Sequence, residues 1–132
     1  MSYPEDLRYT KQHEWVSLQG ITALVGLTEF AVQRLGDDIS FIDLQQAEVG
    51  TTFAIGDKLC AVESVMSAID LHAPMSGVLN KINETVIEHP GEINKNMYEA
   101  WIVELQVADP DELKDLLTAD QYEAYIKELS AP

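Results

Sequence analysis

Between His13 and Val107 the apolar residues of this chain come in short runs, each closed by a glycine, a proline or a polar pair before it reaches helical length. That punctuation limits the fold more than any other feature, because runs of this kind form strands. His13-Glu14-Trp15-Val16-Ser17-Leu18 and Ile21-Thr22-Ala23-Leu24-Val25 flank Gln19-Gly20, where glycine supplies the positive φ of a hairpin turn. Ile39-Ser40-Phe41-Ile42-Asp43-Leu44 alternates as a strand with one buried face. Leu59 to Val65 and Ala68 to Ala73 are two further runs that meet near Met66-Ser67, ahead of a turn at Pro74 and Ser76-Gly77. Val78 to Asn83 and Trp101 to Val107 complete the strands, separated by a polar loop from Glu88 to Asn96 that holds Pro90 and Gly91. Gly26, Gly36, Gly50 and Gly56 read as turn or cap glycines.

Helical signals flank this body. Thr28 as a hydroxyl N-cap, Glu29 in the first turn and Gly36 at the end predict a short helix near residues 28–36. In the tail, Asp109-Pro110 sets up a helix start, and Leu113, Leu116 and Leu117 recur at i, i+3, i+4. Tyr122, Tyr125, Ile126 and Leu129 repeat that spacing. A chain of 132 residues with 46% hydrophobic content supplies one core, so 1–132 reads as one domain, with a body of about 7–108 and a helical tail of about 109–129. The expected fold is mainly β: a β-sandwich or flattened barrel of two antiparallel sheets with helices laid against it. Val25, Phe41, Val62, Leu71 and Trp101 are expected in the core, with Trp15 and Phe30 as further core aromatics.

Charge narrows the partners. Eight Lys and Arg against 23 Asp and Glu leave a net charge of −15. Such a surface repels phosphate backbones and anionic lipid heads, which argues against nucleic-acid and membrane roles, and it suits a protein partner with a basic face. Cys60, the only cysteine, excludes an internal disulfide. No apolar run is long enough to span a bilayer, and the acidic start lacks the pattern of a secretory signal. The expected location is the cytoplasm, although a mature mitochondrial matrix chain would read the same way, and the expected state is a monomer.

Little here suggests catalysis. His13, His72 and His89 stand at no metal-ligand spacing with one another or with Cys60. Cys60 lies inside an alternating strand, where a buried core thiol outweighs a nucleophile. No glycine loop for phosphate and no distinct carboxylate pair is present. The segment from Gly56 to Gly77 stands out: two strands of similar length meet at a tight tip and return to Pro74-Met75-Ser76-Gly77. It resembles the hairpin of lipoyl and biotinyl carrier domains, where a rigid sheet presents one acylated lysine as a long arm to several active sites.

The wider chain is similar to the glycine cleavage H proteins. The resemblance rests on His13-Glu14-Trp15-Val16, Val25-Gly26-Leu27-Thr28-Glu29-Phe30-Ala31, Leu35-Gly36-Asp37, Glu63-Ser64-Val65, Asp70-Leu71, Pro74-Met75-Ser76-Gly77-Val78 and Asn83-Glu84. Pro90, Ile93-Asn94, Tyr98, Trp101 and Asp109-Pro110 with Leu113 continue it, so it runs from about Leu7 to Leu129. It implies a lipoyl-domain-like fold, lipoate as the family cofactor, and a shuttle of aminomethyl groups from glycine decarboxylase to aminomethyltransferase. Dihydrolipoamide dehydrogenase and a lipoylating enzyme are the other implied partners, and the carrier itself performs no chemistry.

Two departures bear on that function. Where the family reads Glu-Ser-Val-Lys, this chain reads Glu63-Ser64-Val65-Met66, and a thioether cannot be acylated to a stable amide. Lys58 and Lys81 are the nearest lysines and fall outside the tip. Glu63 resembles the acid that lipoylating enzymes read; alternatively, Glu63 and Asp70 are solvated charges beside the turn and Met66 an exposed residue without a role. In addition, Tyr98-Glu99-Ala100-Trp101 replaces the family's Tyr-Gly-Glu-Gly-Trp, in a loop that the resemblance places near the arm. The expectation is therefore a family member without lipoylation at Met66. The alternatives are a docking or regulatory protein on the same fold, a carrier modified at an atypical residue and, from another class, an enzyme using Cys60.

Overall fold

A computed structural model describes residues 3–44 and 47–130. It holds two antiparallel sheets. The larger has the order β1-β2-β3-β9-β8-β5, built from Arg8–Tyr9, Glu14–Gln19, Thr22–Leu27, Val103–Val107, Gly77–Ile82 and Thr52–Phe53. The smaller has the order β4-β6-β7, from Ile39–Asp43, Lys58–Ser64 and Ala68–His72. The mainly β architecture of two antiparallel sheets is therefore as the sequence predicts. Val16, Val25, Val62, Leu71, Leu79 and Leu105 are among the residues buried between the sheets.

The helices differ in number and extent from what the sequence suggests. The first, α1 (Glu29–Arg34), is capped as expected, with the Thr28 hydroxyl accepting from Ala31 N–H at 3.3 Å. The polar loop after β8 instead contains α2 (Glu84–Glu88) and α3 (Gly91–Lys95). Each is five residues long, too short for apolar periodicity to register. In the tail, Pro110–Asp115 forms a 3₁₀ turn that stops before Leu116. Leu117 leaves the expected helical face altogether and pairs with Tyr9 of β1. The last helix, α4 (Ala119–Ser130), lays Tyr122 and Ile126 on a second core with Tyr3, Leu7, Tyr9 and Trp15, where the Tyr9 and Tyr122 rings stack 4.8 Å apart.

Three further expectations need correction. Phe41 is 53% exposed, because a bulge in β4 between Ile39 and Phe41 breaks the alternation and turns Ile39 and Ile42 inward together. Trp101 and Phe30 are half-buried against the second core rather than inside the sandwich. Gly26 is no turn glycine: it pairs with Trp15 in mid-strand, and a Cβ there would meet the Trp15 ring at 2.5 Å. The bare backbone lets the indole lie flat on β3 and donate from Nε1 to the Met97 carbonyl at 3.0 Å.

Candidate functional site

Met66 stands at the tip of the β6–β7 hairpin, 74% exposed, beside Val65 at 84%. The hairpin closes at Ser64, whose N–H donates to the Ser67 carbonyl at 2.9 Å. The Ser64 hydroxyl does two further things. It donates to the Leu35 carbonyl at the end of α1 at 2.6 Å and accepts from Ser67 N–H at 3.1 Å. The tip is thereby tied to α1, and the Met66 thioether lies over Gly36.

The other residues expected at the site are spread along the hairpin. Glu63 is half-buried and faces Phe41 and Ala68 across the strands of the small sheet. Asp70 is four positions from the tip and forms an ion pair with Lys58 at 3.3 Å, both side chains about half exposed. Its charge is thus engaged at the hairpin's base. Lys81 lies on β8, in the other sheet. Cys60 is buried, and burial pushes its thiol up to about 12, with the acids Asp70 and Glu14 acting in the same direction.

Beside the tip lies an open groove of about 600 Å³, lined by Ser67 to Asp70 and His72 of the hairpin, by Lys11 to His13, and by Arg34 and Leu35. Behind His72, which lines the groove, lies the side chain least expected from the sequence, the fully buried carboxylate of Glu14. Glu14 Oε1 accepts from the Thr10 hydroxyl at 2.7 Å. Oε2 accepts from His72 N–H at 2.6 Å and lies 3.0 Å from His72 Nδ1. Burial raises the carboxyl's pKa, and these hydrogen bonds pull it back down. Next to it, His13 adopts a left-handed backbone, φ 73°, and sits 2.9 Å by Nδ1 from the Tyr122 hydroxyl, which is also 2.8 Å from Thr28 Oγ1. Burial, helped by Arg34, lowers His13 to about 4, so its ring is neutral near pH 7.

The model of the glycine cleavage H-protein family matches residues 7–129. The chain belongs to that family. Among its relatives, the glycine cleavage system H protein of Geobacillus kaustophilus is 41% identical over 129 residues, 97% of this chain and 99% of that one. The one from Trichormus variabilis is 43% identical over 126 residues, 95% of each chain. A crystal structure of the H protein from Mycobacterium marinum matches with a TM-score of 0.78 at 32% identity, covering 98% of this chain and all of that one.

Within this H-protein fold, the altered Tyr98–Trp101 segment does not line the groove beside Met66. It packs instead near Trp15 and α1: the Tyr98 hydroxyl accepts from Glu29 N–H at 3.0 Å, and Ala100 is buried. From the sequence, Glu14 reads as part of the first strand and of the family resemblance, with no site role of its own. The available signal was an acid on β2 two residues before the buried Val16, on the strand's apolar face.

Proposed function

We propose that this chain is a docking member of the H-protein family that carries no lipoyl arm at Met66. The observation that carries the reading is the tip itself. An amide to lipoate needs an amine, and the exposed side chain there is a thioether. The residues present do not fit a covalently bound lipoyl group. Lys58, engaged with Asp70 at the base of the hairpin, and Lys81, on the other sheet, are poor substitutes. With a buried, unactivated Cys60, the chain binds partners and does no chemistry of its own. By family resemblance those partners are glycine decarboxylase, aminomethyltransferase and dihydrolipoamide dehydrogenase, met in the cytoplasm by a single-domain monomer. Glu63, Ser64 and Val65 lead up to the position where the arm would stand, Asp70 follows four positions beyond it, and Glu63 remains for a lipoylating enzyme to read.

Intact mass after co-expression with a lipoylating enzyme tests this. The expected result is the unmodified mass for the natural chain and a gain of one lipoyl group for Met66→Lys. A lipoyl group mapped to Lys58 or Lys81 would replace this reading with a carrier modified at an atypical residue.

A further inference from the structure

The small sheet ends on β7, and the side of that strand away from β6 is open. The hairpin register shows which backbone groups face out. Ser64 and Ser67 are bonded across the turn, so the pairs beyond them alternate. Ala68 opposite Glu63, and Asp70 opposite Ala61, are the pairs that exchange no ladder bonds. Their N–H and C=O groups therefore point outward. His72 is the next outward residue, and its N–H is taken by the Glu14 carboxylate at 2.6 Å. The edge is closed there, whereas the outward groups of Ala68 and Asp70 have no protein partner among the described residues.

The groove runs along this open edge, and its other walls hold Lys11 and Arg34. The Lys11 ammonium lies 5.4 Å from the centre of the Tyr125 ring, and the Arg34 guanidinium 5.3 Å from that of Phe30. Neither has a carboxylate within 4.0 Å among the described residues, although the chain has 23 acids for eight Lys and Arg. Lys58, Lys95, Lys114 and Lys127 each have such a partner. Arg8 and Lys81 do not among the described residues, but Arg8 donates to the Leu113 and Leu116 carbonyls and Lys81 lies on the other sheet, so Lys11 and Arg34 are the two that share a groove. An unpaired strand edge facing two unneutralised cations calls for extended backbone that carries negative charge. A volume of about 600 Å³ lies within the usual range for a ligand site.

We propose that the groove takes an extended peptide segment of a partner protein, paired with β7 at Ala68 and Asp70, with an Asp or Glu side chain directed at Lys11 and Arg34. A second copy of this chain is disfavoured, because it brings a charge of −15 to a surface of −15. The site does not rest on the absence of a lipoyl arm, and its readout is peptide binding rather than modification mass.

The test is amide NMR on the full ¹⁵N-labelled chain, titrated with Ac-Val-Glu-Val-Glu-Val-amide and with the same peptide carrying Lys in place of Glu. The glutamate peptide is expected to shift the Ala68 and Asp70 amides and slow their exchange about tenfold, leaving β4 unchanged, and to bind about tenfold tighter than the lysine peptide. Lys11→Glu combined with Arg34→Glu should reverse that preference. Ala68→Pro, which removes only an outward N–H, should abolish binding; the charge-reversal pair keeps the test decisive if the proline variant does not fold. Equal binding of the two peptides, shifts confined to another surface, or no binding up to about millimolar peptide would overturn the proposal. The same shifts from butanoate alone would make this a small-acid site. The same shifts from raising the protein concentration would make it a self-association edge.

Discussion

The β2–β3 and β6–β7 hairpins each close with two residues, Gly20-Ile21 in one and Val65-Met66 in the other. In the first, Gly20 takes φ +63°, supplying positive φ where the turn needs it, and the strands are paired on both outer sides by β1 and β9. In the second, neither turn residue has positive φ; His13 is the one non-glycine residue that does among those described. The shape of that tip is imposed from the side, by one hydroxyl fixed to the end of α1. A turn that shapes itself restricts its own residues. One that is shaped by a neighbour leaves them free, and the exposed positions 65 and 66 have that freedom.

The largest expected effect tests the first hairpin. Gly26→Ala drives a methyl into the Trp15 ring and should cost about 3 kcal/mol in urea unfolding. A loss under about 0.5 kcal/mol would mean that the indole is not fixed on β3. Next is acid. His13, at the base of the same hairpin, is held near 4 in the fold against an ordinary value of 6.5. Its contribution is complete above pH 6.5 and fades as pH falls towards 4, by about 1–3 kcal/mol. Buried Glu14 acts in the opposite sense, gaining from protonation. The difference between the natural chain and His13→Asn, which accepts the left-handed backbone, isolates the histidine; parallel pH–stability curves would sink the assignment.

At the other hairpin, Ser64→Ala removes the tie to Leu35 and should cost about 1–2 kcal/mol, with faster amide exchange at Ser67. If exchange at the tip is unchanged, the tip holds itself and the contrast between the hairpins fails. The smallest effects sharpen it: Gly20→Ala should cost about 1 kcal/mol, whereas Met66→Lys should stay within about 0.5 kcal/mol by thermal unfolding.

Much of this was legible in the sequence, where alternation and turn chemistry coincide. Gly20 marks its turn to within one residue, and Thr28 marks the start of α1. Phe41 was not, because its direction is set by a bulge that exists only in pairing with β6. Nor were β1 and β5, two residues each, which are strands only by virtue of their partners. At the candidate site, the exposed tip followed from resemblance and spacing. The groove did not, because Glu14 and His72 meet across 58 positions of sequence and no local pattern records such a meeting.

The Tyr122 hydroxyl, shared by His13 and Thr28, also sets an order of events during synthesis. Those two residues leave the ribosome 109 and 94 positions ahead of their partner. Until α4 joins the fold, Tyr9 lacks its stacked ring, Tyr122, although Leu117, its bridge partner, precedes that helix. A chain ending just short of Ala119 would therefore keep every strand of both sheets and still leave the aromatic residues of the second core uncovered, the form a chaperone would meet.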